Sequence, residues 1–166
     1  YGIGREFVER YAAEGGGSMP PYTPGRCDYP GDASIASAVA QRMLDDALAY
    51  ALERRQFGQP IAEFQLVQAM LADSRTEIYA AQCMVIDAAR RRDDGETVTT
   101  EASCCKLFAS EMCGRVADRA VQIFGGSGYV ADHGIERFYR DVRLFRLYEG
   151  TSQIQMHAEI GLTFAS

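Results

Sequence analysis

The spacing of apolar residues constrains the fold of this 166-residue chain more than any other feature. Between residues 62 and 92, and again between 102 and 123, apolar or small side chains recur at alternating intervals of three and four. Such spacing keeps one face of an α-helix towards a partner, and it does not fit the alternation of a strand. The two stripes are Phe64, Val67, Leu71, Ser74, Ile78, Ala81, Val85 and Ala88, then Ala102, Cys105, Ala109, Met112, Val116, Ala120 and Ile123.

Breakers and capping residues set the expected helix ends. Gly58 and Pro60 separate the first two helices, and paired glycines stop the third. We expect Ser34 to cap the first helix, Thr99 or Thr100 the third, and Thr151 or Ser152 a short last one. The first, second and fourth predicted helices run over Ser34–Arg55, Ala62–Arg92 and Ile135–Tyr148. Long helices with short connections predict an all-α fold, an antiparallel four-helix bundle.

The first 33 residues differ from the rest of the chain. They are dense in glycine and proline, including the run Gly15-Gly16-Gly17 and Pro20-Pro21. That composition is typical of loops or disorder. We therefore predict an irregular segment over residues 1–33, either disordered or out of register with the bundle, which then occupies residues 34–166.

Composition and charge exclude several classes of protein. The net charge is −6 and no stripe of basic residues is present, which argues against nucleic-acid binding. No apolar run reaches the roughly 18 residues of a membrane span, and we see no signal peptide. Cysteines number five and two are neighbours, Cys104 and Cys105, so a disulfide framework is not expected. No Cys-x-x-Cys pair or histidine cluster suits zinc, and we expect no metal. Free thiols fit a reducing compartment, the cytoplasm or the mitochondrial matrix.

Three stretches contain combinations of residues that the packing of a helical bundle does not require. Residues 54–65 read R-R-Q-F-G-Q-P-I-A-E-F-Q, residues 121–129 read V-Q-I-F-G-G-S-G-Y, and residues 146–155 read R-L-Y-E-G-T-S-Q-I-Q. A helix corner alone explains the Gly and Pro of the first. Glycines such as those in the second stretch usually end a helix as a C-cap, but they also let the backbone approach a ligand closely. The third sets a carboxylate beside a helix N-terminus, whose N–H groups bind anions.

In this order, the three stretches resemble the C-domain signatures of the acyl-CoA dehydrogenase family, and the resemblance covers about residues 36–155. It implies an enzyme with an N-terminal helical domain, a middle β-domain and this C-terminal bundle. Such enzymes bind FAD, convert an acyl-CoA to the trans-2-enoyl-CoA and pass electrons to an electron-transfer flavoprotein. They assemble as homotetramers, dimers of dimers. The resemblance thus implies that this chain alone is inactive.

The resemblance also assigns roles to individual residues. Glu149 matches the general base of many members, in a substrate-binding stretch formed by Tyr148, Glu149 and Gly150. Residues matching contacts to FAD of the neighbouring subunit are Arg54, Phe57 and Gln65. Those lining its ADP part are Gln122 and Gly126, and those near the flavin of the same subunit are Thr151 and Gln153.

Two alternatives remain open at this stage. One is a related FAD enzyme on the same scaffold, an acyl-CoA oxidase or a flavin monooxygenase. Glu149 favours the dehydrogenase, because relatives with other chemistry often lack a carboxylate there. The other alternative is a non-catalytic helical assembly module. The chain also departs from the family at Met156-His157, where many members carry Arg, and throughout residues 1–33.

Overall fold

The computed structural model describes residues 31–156, and these are almost entirely helical. The α-helices are α1 (Gly31–Glu53), α2 (Gln65–Asp93), α3 (Thr99–Phe124) and α4 (Ile135–Asp141). Short 3₁₀ turns cover Ile61–Glu63, Gly125–Gly128, Ala131–His133 and Val142–Arg146. A last helical segment starts at Ser152. Two-residue strands β1 (Arg55–Gln56) and β2 (Gln59–Pro60) form a small hairpin between α1 and α2. The all-α fold class is confirmed.

The three long helices pack in alternating directions. Near the end of α1, the ring of Tyr50 stacks on Phe124 at the end of α3, with centroids 4.1 Å apart. These two helices therefore run the same way. Near the end of α2, Arg91 Nη1 lies 2.7 Å from the Glu101 carboxylate at the start of α3. Hence α2 runs opposite to both.

The core lies where the apolar stripes predicted it. Every residue of the α3 stripe is buried, and Ser74, Ile78, Ala81 and Ala88 are the buried positions of α2. Burying a side chain such as Ile78 contributes about 1.5–3 kcal/mol. The small residues of α1 allow its backbone to approach its neighbours closely. They are Ala33, Ala36, Ser37, Ala40, Ala47 and Ala51.

Two of the expected helix starts are wrong. The chain is already helical at Gly31, where the described residues begin, so Ser34 lies inside α1 and does not cap it. Residues 31–33 belong to this helix, and Ala33, only 1% exposed, packs into the core of the bundle. Thr99 is the first residue of α3, and buried Val98 precedes it without any side-chain cap. Residues 1–30 and His157 lie outside the described residues.

Two further boundaries differ from the sequence-based expectation, and one is confirmed. Extended backbone at Phe64 (φ −85°, ψ 128°) delays α2 to Gln65, after a 3₁₀ turn at residues 61–63. The fourth helix ends at Asp141, where the chain tightens into 3₁₀ geometry instead of continuing to Tyr148. The hydroxyl of Thr151 accepts a 3.4 Å hydrogen bond from the Ile154 N–H, as expected of an N-cap.

Within residues 31–156, no helix is long and apolar enough to cross a membrane. Cys83, Cys104, Cys105 and Cys113 are free thiols. Burial raises the pKa of Cys105 and of Cys113 to about 12. These two thiols therefore pack as small apolar groups and not as nucleophiles.

Candidate functional site

The first stretch forms an exposed hairpin. Arg55 pairs with Pro60 and Gln56 with Gln59, which leaves Phe57 and Gly58 as a two-residue turn. Both turn residues have positive φ, 52° and 86°, as a type I′ turn requires. A bulky aromatic rarely adopts such a φ, and Phe57 is also 93% exposed. The turn therefore presents an aromatic side chain at the surface, edge-on to Phe64 and with exposed Arg54 beside it.

The glycines of the second stretch differ in what they do. Gly125 ends α3 with φ 60°, so it acts as a C-cap. Gly128 is buried, and a Cβ there would lie 2.8 Å from the Val121 carbonyl oxygen. Gly126 has neither constraint, because its φ is not left-handed and a Cβ would meet nothing within 4 Å. The fold thus has no need of glycine at Gly126, which leaves open backbone for a ligand to approach.

The first and second stretches lie at the same end of the bundle. Tyr50, four residues before Arg54, stacks on Phe124 and its hydroxyl lies 3.3 Å from Ser127 Oγ. Exposed Gln65 begins α2 beside the hairpin, and exposed Gln122 lies in the last turn of α3.

The third stretch is a strained turn at the opposite end. Glu149 (φ 51°) and Gly150 (φ 87°) are consecutive residues with left-handed backbone. Among residues 31–156, Glu149 and Phe57 are the only non-glycine residues with positive φ. Such strain persists only where surrounding contacts enforce it, and it is concentrated at functional sites.

Buried side chains hold this turn. Gln155 Nε2 donates to the Glu149 carbonyl oxygen over 3.1 Å, and Lys106 Nζ donates to the carbonyl oxygen of Gly150. Lys106 and Gln155 are each only 4% exposed. The φ of 87° favours glycine at Gly150, and a Cβ there would lie 2.6 Å from Gln155 Nε2, so it would displace the amide that restrains the turn.

Glu111 of α3 ties together both sides of the turn. Its carboxylate accepts hydrogen bonds from Arg146 Nε at 2.8 Å and from Arg146 Nη2, and from Ser152 Oγ at 2.8 Å. The hydrogen bonds from Arg146 are the main reason why the pKa of Glu111 is lowered. One carboxylate thus anchors the chain just before and just after Glu149.

Two charged side chains lie near Glu149. Half-buried Asp32, in the first turn of α1, has its pKa raised by burial and then by the charge of Glu149. The ammonium of Lys106 opposes this rise. Asp32, Lys106 and Glu149 are therefore three interacting charges from α1, α3 and the strained turn.

The expected site residues divide between the two ends of the bundle. Along α1, the 18 residues from Asp32 to Tyr50 span about 27 Å at 1.5 Å per residue. The hairpin end holds Arg54, Phe57, Gln65, Gln122 and Gly126. The turn end holds half-buried Tyr148, Glu149, Gly150 and Thr151, with exposed Gln153.

Sequence reasoning missed the residues that support the turn. Lys106 carried a usable signal, because it is the chain's single lysine and lies beside Cys105 on the buried stripe of α3. Glu111, Arg146 and Gln155 carried no such signal, since their partners are distant in sequence or are backbone atoms.

A recess of about 410 Å³ lies between α3 and the segment after it, and Glu149 does not line it. Its three arginines are already paired, Arg115 and Arg119 with Glu77 and Arg146 with Glu111. Among residues 31–156, no cluster of three His, Cys, Asp or Glu side chains is placed to hold a metal ion.

The bundle with these three stretches defines a class of helical enzyme domain, and comparison with known proteins identifies its family. Residues 31–159 match the family model of the acyl-CoA dehydrogenase C-terminal domain. The chain therefore belongs to the acyl-CoA dehydrogenase family, and its fold agrees with this assignment.

Individual relatives agree with this assignment. The caffeyl-CoA reductase-Etf complex subunit CarC of Acetobacterium woodii is 47% identical over 132 residues, 80% of this chain and 35% of that protein. A probable acyl-CoA dehydrogenase of Bacillus subtilis, YngJ, is 51% identical over 123 residues, 74% of this chain and 32% of that protein. The structure of butyryl-CoA dehydrogenase from Megasphaera elsdenii superposes with a TM-score of 0.79 at 37% identity, covering 81% of this chain and 35% of that one. The chain thus spans about a third of the length of these relatives.

Proposed function

We propose that this domain serves an FAD-dependent acyl-CoA dehydrogenase in which Glu149 is the general base. The reaction converts an acyl-CoA to the trans-2-enoyl-CoA. The observation that carries the proposal is the strained turn at Glu149, fixed by Gln155 and Lys106 through two consecutive carbonyl groups. Left-handed backbone at a non-glycine residue is concentrated at functional sites, which supports a role for Glu149.

The turn suits proton abstraction for a physical reason. A base must be held within reach of the substrate's α-carbon, and a misplacement of about 1 Å can cost a hundredfold in rate. Glu149 takes the α-proton while the β-hydrogen leaves as hydride. Closing the site over substrate removes water, and a desolvated carboxylate is a stronger base. The backbone N–H of Glu149 would donate to the thioester oxygen, and bound FAD would supply a hydroxyl as a second donor.

The described residues fit FAD at both ends of the bundle. Bound FAD supplies the acceptor for the hydride. At the hairpin end, Arg54 would pair with phosphate, Phe57 would offer an apolar face, and open Gly126 would admit the ADP part beside Gln122. Gln65 would belong to the same group. At the turn end, Thr151 and Gln153 would contact the flavin of their own subunit. The separation of about 27 Å between the ends fits two flavins, one of them the neighbouring subunit's.

The sharing of each flavin between two subunits implies an assembly, and the electrons on the flavin need an acceptor. We propose a dimer of dimers in the complete enzyme, because the hairpin end contributes to a flavin that its own turn end does not reach. An electron-transfer flavoprotein is the proposed electron acceptor. The name of the Acetobacterium relative, a subunit of an Etf complex, supports this partner.

The test is flavin reduction in a three-domain protein, in which the N-terminal and middle domains of a relative precede residue 31. Glu149→Gln keeps the side-chain shape but cannot accept the proton. Flavin content and acyl-CoA affinity should be retained, and the rate of flavin reduction should fall by at least about a hundredfold. Glu96→Gln is the matched control, because Glu96 is exposed and pairs with Arg91. Near-normal reduction in Glu149→Gln would place the base elsewhere.

A second candidate uses the same site in the opposite direction. The Acetobacterium relative is named a reductase, which favours reduction of an enoyl-CoA with Glu149 as the proton donor. The two directions are separated by mixing the oxidised three-domain protein with acyl-CoA and the reduced protein with enoyl-CoA. The faster half-reaction at physiological reactant ratios identifies the working direction.

A further inference from the structure

The chain's single lysine is buried beneath the turn that carries the proposed base. Lys106 is 4% exposed, and its ammonium donates to the Gly150 carbonyl oxygen. We propose that Lys106 is a positioning residue for Glu149, which fixes the turn through Gly150 and balances the two carboxylates beside it. This inference rests on the proposed function, because it assumes that the geometry of Glu149 determines the reaction rate.

The backbone of the turn needs an external restraint. Glu149 and Gly150 both have left-handed φ, and a glutamate does not favour that region by itself. Gln155 restrains the first carbonyl group and Lys106 the second. A hydrogen bond from an ammonium is stronger than a neutral one, so Lys106 is the stronger of the two restraints.

The position of Lys106 also has an electrostatic consequence. Asp32 and Glu149 repel each other, and this repulsion is one reason for the raised pKa of Asp32. A buried cation between α1 and the turn offsets that repulsion, and it in turn needs anions near it. Without the ammonium, the like charges would push Glu149 away from α1 while its carbonyl restraint is also lost.

Chemical acylation tests the burial of Lys106 without any assumption about catalysis. The 166-residue chain contains only two amino groups, the N-terminal α-amino group and the ε-amino group of Lys106. Treatment with an acetylating ester should modify the α-amino group in the folded chain. Lys106 should become modified only when urea unfolds the protein, as intact mass and peptide mapping would show. Modification of Lys106 in the folded chain at the rate of an exposed lysine would overturn the proposal.

Kinetics of the three-domain protein test the positioning role. Lys106→Met keeps the length of the side chain but removes its charge and donor. Flavin content and acyl-CoA affinity should remain within about twofold, while flavin reduction at saturating substrate falls by about a hundredfold, the effect of a misplaced group. Lys106→Arg restores a charged donor and should recover at least about tenfold of that loss. The control is Arg42→Met, which removes a cation paired with Asp46 on the outer face of α1.

The outcomes separate this inference from the proposed function. Flavin reduction within about threefold of normal in Lys106→Met would overturn the positioning role, given that a misplaced base costs far more. If Glu149→Gln also reduced its flavin normally, the proposed function would fail as well. If Lys106→Met lost flavin together with activity, Lys106 would be a fold residue, and the positioning role would again be overturned.

Discussion

Two glycines of one loop allow the packing of the bundle to be tested by a matched pair of substitutions. A Cβ at Gly128 would lie 2.8 Å from both the Phe124 Cβ and the Val121 carbonyl oxygen, and 3.2 Å from the Val121 Cα. These atoms belong to α3, so they cannot move aside without disturbing the helix. A Cβ at Gly126 would meet nothing within 4 Å.

The expected magnitudes follow from those distances. Overpacking of this kind costs about 1–3 kcal/mol, and Gly→Ala recovers about 0.4–1 kcal/mol by restricting the unfolded chain. The difference between these two effects leads us to expect Gly128→Ala to lower the free energy of unfolding by about 1 kcal/mol. Gly126→Ala should leave it unchanged or raise it by up to about 1 kcal/mol.

Urea unfolding followed by circular dichroism at 222 nm measures both variants against the unmodified chain. The denaturant slope should be unchanged, so that the shift in midpoint reports stability. Equal midpoints for Gly128→Ala and Gly126→Ala would show that the close contacts of a Cβ at Gly128 do not lower stability. A large loss in Gly126→Ala would do the same, because it would show that this glycine is required by the fold and is not open for a ligand.

Three further outcomes are expected. Glu111→Gln should lower stability at pH 7 by about 1 kcal/mol, a value reduced because Arg146 is 35% exposed. Hydrogen bonds from Arg146 lower the pKa of Glu111 in the folded state, so its contribution is present above the ordinary pKa of 4.5 and is lost as the pH falls from there through the folded-state pKa. The difference in urea midpoint between the unmodified chain and Glu111→Gln should therefore be smaller at pH 3.5 than at pH 7, and a constant difference would contradict the assignment. Removal of residues 1–30 should change the thermal midpoint little, whereas a loss above about 2 kcal/mol would mean that the segment packs on the bundle. Titration of FAD into the 166-residue chain should show no binding tighter than micromolar, which corresponds to a binding free energy of about −8 kcal/mol. The reason is that the proposed contacts divide between two flavins, and a tight yellow complex would contradict this.

Local periodicity predicted the fold well. The stripe from Ala102 to Ile123 is buried throughout, because apolar spacing in a long helix directly determines which face packs. Helix ends were predicted less well. Thr99 was expected to cap α3, but the buried side chain of Val98 fixes the start instead. Ser34 was expected to begin α1, yet Ala33 before it packs into the core.

The candidate site was predictable only in part. Exposed Phe57 and half-buried Glu149 occur in short contiguous stretches that resemble a family, and both have left-handed backbone in the structure. The supporting contacts join residues distant in sequence: Lys106 with Gly150 spans 44 residues and Glu111 with Arg146 spans 35. No periodic pattern encodes such pairs, because they arise from the packing of α3 against the later turn.

The central claim, that Glu149 removes the substrate's α-proton, is tested most directly by hydrogen exchange at that carbon. The three-domain protein is incubated in D₂O with an acyl-CoA, and deuterium at the α-carbon is followed by mass spectrometry. This measurement reports proton abstraction whether or not electrons leave the flavin. We expect exchange in the unmodified protein and in Glu96→Gln, with a loss of at least about a hundredfold in Glu149→Gln. Undiminished exchange in Glu149→Gln, with flavin content intact, would show that another group removes the α-proton.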